Sequence, residues 1–431
     1  MAKFLTDFTE EELGDYTQKA YSQQKFAPKS TAPLIRLSDN AYILELFHGP
    51  TCAFKDFALQ VMPYLLTASL KKCGVDKTVV ILVATSGDTG KAALMGFSDV
   101  PGTKICVFYP DGGVSPIQRL QMVSQKGDNV MVFAVDGNFD DAQSGVKRIF
   151  TDHDFQKQLA QNGYLLSSAN SINWGRMVPQ IAYYFSAYCD LLGSGCIAPG
   201  DPVDFVVPTG NFGNIFSAYL AKLCGLPVRK LVCASNKNRV LTDFFTTGTY
   251  DRNREFYLTS SPSMDILISS NLERLLYLMA GRDAAKLTDL MQSLSEDGRY
   301  TVDDEMLRAL QSDFFAGFAD DASTAKTIAK VFSSTGYLCD THTAVAVKVY
   351  EDYKKQAGAN VPAVIASTAS PFKFAGSVLA AMGEGTEEDD FAMLQTLSSL
   401  SGLTVPGALS GLKDCNVRFQ TTVEPDGMKS A

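Results

Sequence analysis

Apolar runs with the composition of strands alternate with helix-like segments along most of this chain. Two segments, residues 177–192 and 322–335, carry apolar residues at the three- and four-residue spacing of a helix. Seven runs rich in β-branched and aromatic residues are predicted to be strands: VVILVA (79–84), KICVFY (104–109), VMVFAVD (130–136), YLLSSA (164–169), DFVVPT (204–209), RKLVCAS (229–235) and AVIAST (363–368). The alternation is typical of β-α-β units, so it predicts an α/β fold around parallel sheets.

The segment SGCIAPGDP (194–202) contains two glycines and two prolines, a composition typical of a linker. We therefore predict a smaller α/β domain over residues 78–190. A larger domain is predicted from the two flanking parts, residues 1–77 and 191–431. The pattern after Glu384 does not indicate a function.

Composition excludes several classes of protein. The chain has 431 residues, 46% of them hydrophobic, and a net charge of −9, which argues against binding to nucleic acid. Any phosphate site must therefore be built locally. The cysteines are odd in number and contain no C-x-x-C pair, so we expect neither disulfides nor a zinc site. They are the nine residues Cys52, Cys73, Cys106, Cys189, Cys196, Cys224, Cys233, Cys339 and Cys415.

The N-terminal stretch is acidic, and no run of 18 apolar residues occurs in the sequence. We expect a soluble, cytoplasmic protein without membrane or nucleic-acid partners. Its partner is expected to be a small-molecule substrate, and the chain is expected to act as a monomer or a homodimer.

The segment HGPTCAFKDFALQ (48–60) places Lys55 just after a Gly-Pro turn. The residues around it are mostly apolar: Ala53, Phe54, Phe57, Ala58 and Leu59. Such neighbours draw a lysine inward, and a desolvated amine has a lowered pKa and acts as a nucleophile towards carbonyls. Lys55 is therefore a candidate carrier of an aldehyde cofactor. The alternative is a lysine that reaches the solvent and pairs with Asp56.

Two predicted strands run into glycine turns that are followed by helix-like sequence. The first is VVILVATSGDTG (79–90), and the second is DFVVPTGNFGN (204–214), with a helix predicted to begin near Ile215. A strand, a glycine turn and a helix N-terminus form an anion site from backbone N–H groups. Glycines are also ordinary turn residues in α/β proteins, so each turn alone is weak evidence. Together with Lys55, the two turns indicate a phosphorylated ligand.

Six segments in order resemble the motifs of threonine synthase, a fold-type-II pyridoxal-phosphate enzyme. The resemblance extends from about Leu34 to Phe374. The segments are ELFHGPTCAFKDF (45–57), ATSGDTG (84–90), SSANSINWGRMVPQ (167–180), PTGNFGN (208–214), DTHTAVA (340–346) and STASPFKF (367–374).

This resemblance implies a two-domain architecture like that of the tryptophan synthase β subunit, with parallel or mixed sheets flanked by helices. Pyridoxal 5'-phosphate is expected in the cleft between the domains, with the larger domain as the cofactor-binding one. Lys55 would form the internal aldimine, Asp88 would lie near the cofactor 3'-oxygen, and Thr368 would contact the pyridine nitrogen. The cofactor phosphate would be held by the backbone of Gly210, Asn211, Phe212, Gly213 and Asn214.

The same resemblance places the substrate. The turn from Ser86 to Thr89 suits a substrate carboxylate. Asn173 and Arg176 would grip the γ-phosphate of O-phosphohomoserine, and they share a helix face if a helix begins near Asn173. The alternative for Arg176 is an ordinary surface arginine. Trp174 between them shapes either a pocket wall or the core.

The expected reaction converts O-phospho-L-homoserine and water to L-threonine and phosphate, which makes the enzyme a carbon-oxygen lyase. His48 and His342 lie within the motifs, His153 lies in a charged stretch, and neither a catalytic triad nor a metal site is readable from spacing. Two alternatives remain: a related lyase that releases 2-oxobutyrate, and a shortened, non-catalytic cofactor-binding paralogue. The second arises because threonine synthases usually carry some tens of residues ahead of the segment FLTDFTEEEL.

Overall fold

All seven predicted strands are present in the computed structural model, each within one residue of its predicted bounds. The structure describes residues 1–26, 30–358, 360–386 and 389–431. In chain order its strands are β1 Leu34–Ser38, β2 Ala41–Glu45, β3 Thr78–Ala84, β4 Thr103–Pro110, β5 Val130–Val135, β6 Tyr164–Ser168, β7 Val203–Pro208, β8 Val228–Ser235, β9 Thr249–Asp251, β10 Arg299–Thr301, β11 Phe314–Phe318, β12 Ala363–Ser367 and β13 Thr422–Val423.

The two helices predicted at residues 177–192 and 322–335 are also confirmed. The α-helices of the described residues are α1 Glu10–Ala20, α2 Asp56–Leu59, α3 Met62–Lys72, α4 Asp88–Phe97, α5 Pro116–Val123, α6 Phe139–Thr151, α7 His153–Gln161, α8 Val178–Gly193, α9 Gly213–Leu223, α10 Val240–Thr247, α11 Leu272–Met279, α12 Ala284–Glu296, α13 Asp304–Asp313, α14 Asp321–Thr335, α15 Thr341–Ala357, α16 Ala375–Ala381, α17 Asp390–Ser401 and α18 Gly407–Ser410. Short 3-10 helices lie at Trp174–Arg176, Pro262–Met264, Pro371–Phe374 and Gly411–Asp414.

The chain folds into two units. The first comprises Met1–Thr31, Phe47–Pro179 and Glu387–Ala431, and the second comprises Ala32–Leu46 and Gln180–Thr386. Each unit has its own principal sheet, and together these sheets confirm the predicted α/β class with parallel and mixed sheets.

The first unit is built on a parallel five-stranded sheet in the order β13-β5-β4-β3-β6. Successive residues of a strand point to opposite faces, and both faces of this sheet are covered. Ile81 and Val83 pack in one core cluster with Leu94 of α4. Leu82 packs on the other face with Val146 of α6. Burial on both faces explains why these strands appear in the sequence as continuous apolar runs.

The second unit is built on a mixed six-stranded sheet in the order β1-β2-β12-β7-β8-β11. The hairpin β1–β2 is antiparallel, and every other neighbouring pair in the sheet is parallel. β7 and β12 lie side by side, with Val206 opposite Ile365. The connections that follow these two strands therefore leave the same edge of the sheet.

The two units differ from the predicted domains of residues 78–190 and of residues 1–77 with 191–431. Residues 47–77 lie in the first unit because Leu59 and Met62 share a core cluster with Val79. The C-terminal residues from 389 onward also lie there, since β13 pairs with β5. The boundary at residues 179 and 180 lies within α8, and not in the segment 194–202. Composition and packing therefore suggest different boundaries, because the division into units depends on contacts between distant segments.

Gly96 in α4 makes a close approach that yields a stability prediction. A Cβ at this position would lie 2.1 Å from the backbone oxygen of Leu59, so the backbone would have to move. Alanine gains about 1 kcal/mol in helix propensity over glycine, and overpacking against rigid backbone costs more than that. We expect Gly96→Ala to lose about 2 kcal/mol of unfolding free energy, measured by urea denaturation. Gly14 in α1 is the matched control, because a Cβ there would meet open space and Gly14→Ala should stabilise. A Gly96→Ala protein as stable as Gly14→Ala would contradict the packing.

Candidate active site

Lys55 precedes α2, and its side chain is only 12% exposed. Its Nζ lies 3.5 Å from Oδ2 of Asp88 and 4.8 Å from the ring centroid of Phe54. The structure thus confirms that the apolar surroundings draw this lysine inward. The amine therefore lies near an aromatic ring and a carboxylate, and it has little contact with solvent.

Asp56 stabilises the turn that precedes Lys55. It is fully buried, and its two carboxylate oxygens accept hydrogen bonds from the backbone N–H and the hydroxyl of Thr51, both at 2.8 Å. Gly49 is required beside it, because a Cβ there would lie 2.5 Å from Oδ2 of Asp56. Asp56 therefore holds the turn that presents Lys55, while Asp88 provides the ion pair to the lysine amine.

The predicted strand, turn and helix around ATSGDTG are present. β3 ends at Ala84 and α4 begins at Asp88. The hydroxyl of Thr85 accepts hydrogen bonds from the N–H groups of Gly87 (3.0 Å) and Gly90 (2.9 Å), which fixes the turn. Ser86 and Thr89 are half-buried on it. The turn therefore places Asp88 at a helix N-terminus, with Ser86 and Thr89 accessible to a ligand.

Asn173 precedes a short 3-10 helix that ends at Arg176, and the α-helix proper begins only at Val178. The side-chain oxygen of Asn173 caps this turn by accepting from the Gly175 N–H at 2.9 Å, and its Nδ2 donates to the Ser168 carbonyl at 3.0 Å. Arg176 is 3% exposed, and its Nη1 donates to the Ala169 carbonyl at 2.7 Å. The alternative of a surface arginine is therefore wrong.

The first unit brings these two segments together at one edge of its sheet. β3 and β6 are parallel neighbours, so the turn after β3 and the segment after β6 leave the sheet on the same side. Asn170 joins them directly, because its Nδ2 donates to the Ala84 carbonyl at 3.0 Å. Trp174 packs edge-on against Phe4, with ring centroids 5.6 Å apart, which favours a packing role for this tryptophan.

In the second unit, the turn between β7 and α9 is held by its carbonyl groups. The Gly210 carbonyl accepts from the Ser269 hydroxyl at 2.7 Å, and the Asn211 carbonyl accepts from Asn271 Nδ2 at 2.8 Å. In a trans peptide the C=O and N–H groups point in opposite directions. The N–H groups of Asn211 and Phe212 therefore point away from residues 269–271. Phe212 is buried with a φ of 62°, so the backbone turns sharply just before the helix.

Asn214 adds a buried donor to the first turn of α9. It is 7% exposed, and its side-chain oxygen accepts from the hydroxyls of Tyr183 and Tyr184. Burial raises the pKa of the Tyr184 phenol well above its ordinary value, so this hydroxyl stays a donor. The Nδ2 group of Asn214 has no hydrogen-bond partner among the described residues. An unmatched buried donor is costly, and an anion would satisfy it.

A buried pair behind this turn was not identified from the sequence. His342 Nδ1 lies 2.8 Å from the Asp340 carboxylate, and Nε2 accepts from the Ser263 N–H at 3.3 Å. This pattern assigns a neutral imidazole with its hydrogen on Nδ1. A Cβ on Gly210 would lie 2.8 Å from the Ser263 carbonyl oxygen, so His342 holds the segment against which Gly210 packs. The Asp-Thr-His-Thr sequence predicts a helix cap but not this contact.

Thr368 follows β12 and is buried. Because β12 and β7 are parallel neighbours, Thr368 and the turn at residues 209–214 lie at the same edge of the second unit's sheet. Next to Thr368, the hydroxyl of Ser367 lies 2.8 Å from that of Thr343 on α15. The sheet thus brings together two of the segments that the sequence assigned to the cofactor.

Gln118 is the functional candidate that sequence reasoning missed in the first unit. Its Nε2 donates to Oδ1 of Asp88 at 2.8 Å, and its side chain is fully buried. The sequence Ser-Pro-Ile-Gln predicts a capping box at the start of α5, but it does not reveal that the glutamine also reaches Asp88.

Among the described residues there is neither a candidate membrane span nor a candidate metal-binding cluster. Over these ranges no helix is both long enough and apolar enough to cross a membrane. Within the same residues, no group of three or more histidine, cysteine or acidic side chains is placed to hold a metal ion.

Comparison with known proteins identifies the family. The model for pyridoxal-phosphate dependent enzymes matches residues 29–368, and the model for the C-terminal part of threonine synthase matches residues 343–424. Threonine synthase-like 1 of Homo sapiens is 43% identical over 91% of this chain, which spans only 53% of that protein. The chain therefore spans about half the length of the threonine synthase-like 1 proteins that it matches.

Two threonine synthases match over larger shares of their own length. That of Pseudomonas aeruginosa is 43% identical over 82% of this chain and 72% of its own. The structure of pyridoxal-phosphate-bound threonine synthase from Brucella melitensis superimposes with a TM-score of 0.83 at 40% identity, covering 96% of this chain and 82% of that one. The chain thus belongs to the threonine synthase family of pyridoxal-phosphate-dependent, fold-type-II enzymes.

Proposed function

We propose that this protein is a threonine synthase, which converts O-phospho-L-homoserine and water to L-threonine and phosphate. Family membership supports a lyase that uses pyridoxal phosphate. The observation that carries the specific reaction is Arg176, a buried guanidinium at the sheet edge where the Ser86–Thr89 turn also lies. A guanidinium binds phosphate through paired N–H groups, and a buried one binds more strongly because water does not compete.

The residues of the chain fit the cofactor. Lys55 offers a mostly buried amine for its carbonyl carbon. The orphaned Nδ2 of Asn214 and the N–H groups of Asn211 and Phe212 suit its phosphate. This donor set resembles other anion sites at helix N-termini, in which backbone N–H groups and the helix dipole meet negative charge.

When bound, pyridoxal phosphate supplies an electron sink for negative charge that develops on substrate carbons. Thr368 is proposed to face its ring nitrogen with a buried hydroxyl, which holds that nitrogen less fully protonated than a carboxylate would. Asp88 is proposed to lie near the 3'-oxygen.

The remaining steps depend on side chains and backbone of this chain. Lys55 removes the α proton of the substrate and later returns a proton, with Asp88 next to its amine. The Ser86–Thr89 turn binds the substrate carboxylate. Arg176, positioned by the turn that Asn173 caps, meets the charge of the γ-phosphate as the Cγ–O bond breaks. After a β proton is lost and phosphate leaves, water adds its oxygen at Cβ and Cγ gains a proton, which gives threonine.

Product analysis tests the proposal. A synthase retains its intermediate until water adds at Cβ, whereas a related lyase releases 2-oxobutyrate after the same early steps. We expect threonine to exceed 2-oxobutyrate when O-phosphohomoserine is supplied, with free threonine and serine deaminated far more slowly. Chromatography of both products, with Lys55→Ala as the inactive control, decides the matter. A dominant 2-oxobutyrate peak would establish the lyase, and no consumption of substrate would establish a non-catalytic protein.

Asn214→Asp tests the phosphate turn. The aspartate keeps an oxygen for the hydroxyls of Tyr183 and Tyr184, but it replaces the unmatched donor with a negative charge. We expect the affinity for pyridoxal phosphate to fall at least about tenfold, because a charge-assisted hydrogen bond of roughly 1.5–3 kcal/mol is lost. Fluorescence titration of the cofactor-free protein measures the affinity, and its unfolding midpoint controls for folding. Unchanged affinity in a folded variant would place the phosphate elsewhere.

The cytoplasmic location and the monomeric or homodimeric state stay predictions. Sedimentation of the purified protein would measure the second.

A further inference from the structure

Each carboxylate oxygen of Asp88 lies near a side chain of the first unit. Oδ1 accepts from Gln118 Nε2 at 2.8 Å, and Oδ2 faces the Lys55 amine at 3.5 Å. We propose that Gln118 is a positioning residue for Lys55 that acts through Asp88. This inference rests on the proposed role of Lys55 and extends the site to a residue on α5.

The amide of Gln118 is fixed at its other end. Its Oε1 accepts from the Ser115 N–H at 3.2 Å, and its own backbone N–H donates to the Ser115 hydroxyl at 3.2 Å. Because Oε1 of Gln118 accepts from the Ser115 N–H, the NH₂ group of the same amide points the other way, towards Asp88. The capping box at the start of α5 therefore decides which end of Gln118 meets Asp88.

Gly87 makes room for this contact. Its φ of 127° is one that residues with a side chain rarely adopt, and a Cβ there would lie 2.6 Å from Nε2 of Gln118. The glycine in the Ser-Gly-Asp turn thus lets the buried amide approach the N-terminus of α4. The absence of a side chain at Gly87 is therefore needed for the contact between Gln118 and Asp88.

The hydrogen bond from Gln118 stabilises the negative charge of Asp88 next to Lys55. Asp88 is buried, and a buried carboxylate keeps its charge only when donors satisfy it. Gln118 satisfies one oxygen and leaves the other directed at Lys55. Without the amide, the charge opposite Lys55 would be weaker or displaced, so the lysine amine would lose its proton more readily.

Two neighbouring buried residues, Lys91 on α4 and Gln121 on α5, provide comparisons. Lys91, one turn after Asp88 on α4, donates to Gln125 at 2.5 Å. Gln121 lies between Gln118 and Gln125 on the α5 side and is fully buried, yet neither of its amide atoms has a partner among the described residues. Gln121 therefore matches Gln118 in residue type, helix and burial but lacks the carboxylate.

The test measures how the reactivity of the Lys55 amine depends on pH. Cofactor-free protein is labelled with acetic anhydride over a pH series, and mass spectrometry follows the peptide that contains Lys55. Gln118→Met keeps the length of the side chain and removes the donor, so we expect its labelling profile to move to lower pH by about one pH unit. Gln121→Met should leave the profile in place.

Gln118→Glu provides a second measurement if Gln118→Met does not fold. At alkaline pH it adds a second carboxylate next to Asp88, so its profile should move in the opposite direction, to higher pH. In the holoenzyme, Gln118→Met should lower kcat with little change in KM, because Gln118 acts on Lys55 and not on substrate.

Two results overturn the inference. One is a folded Gln118→Met protein whose profile equals that of the wild type. The other is a Gln118→Glu profile that does not rise when Gln118→Met fails to fold. Borohydride labelling of the wild-type holoenzyme separates these from failure of the proposed function: a label on Lys55 with an unmoved profile rejects only Gln118, whereas a label on another lysine rejects the role of Lys55.

Discussion

Lys55→Ala is expected to reduce turnover of O-phosphohomoserine by at least about three orders of magnitude, because it removes both the cofactor's covalent partner and the base. The geometry singles out this amine: it is mostly buried, it follows a turn locked by Asp56, and it faces the carboxylate of Asp88. The wild-type protein should be yellow, and borohydride should fix the cofactor to Lys55. Peptide mass spectrometry of the reduced protein locates the label.

Two other lysines provide the comparison. Lys126 is exposed, and Lys91 is buried but engaged with Gln125. Alanine at Lys126 should leave colour and turnover unchanged. A label found on Lys91 or Lys126 would reject the assignment of Lys55, and so would a Lys55→Ala protein that still turns over substrate at a normal rate.

The central strands could be predicted from the sequence because both of their faces are buried. Strands buried on both faces, such as β3 and β7, are apolar along most of their length, so composition alone marks them. The edge strand β1 is partly exposed, and β13 has only two residues. Neither carries enough apolar sequence to be recognised. An α-helix does not begin near Asn173 but only at Val178, because the chain first makes a 3-10 turn over Trp174–Arg176.

Long-range contacts explain what the sequence did not reveal about the site. The motif around Lys55 and the two glycine turns were visible because their residues are adjacent in the chain. Gln118 lies 30 residues after Asp88, and their contact exists only because α4 and α5 pack together. The pair of His342 with Asp340 was readable as a helix cap, but its contact with Ser263 spans 79 residues. Such partners follow from the fold and not from local pattern.

Arg176→Leu is expected to cost about 3 kcal/mol or more of transition-state stabilisation, a loss of roughly two orders of magnitude in kcat/KM. The guanidinium is buried, and one of its N–H groups is fixed by the Ala169 carbonyl, so it is held ready for a phosphate. Leucine removes every donor. Lysine restores the charge but not the paired planar geometry, so Arg176→Lys should remain impaired.

Inhibition by inorganic phosphate distinguishes a phosphate clamp from a purely structural arginine. If Arg176 binds the γ-phosphate, product phosphate should inhibit the wild-type enzyme and should inhibit Arg176→Leu at least about tenfold more weakly, because the same charge-assisted contact is lost. The absorbance of the bound cofactor should stay unchanged in the variant, since Arg176 is not assigned to the cofactor. Arg119→Leu is the control, because this exposed arginine lies in the same unit and should alter neither property. If Arg176→Leu has wild-type kinetics and is inhibited by phosphate as strongly as the wild type, Arg176 does not bind the substrate. Its role would then be structural, through its hydrogen bond to the Ala169 carbonyl.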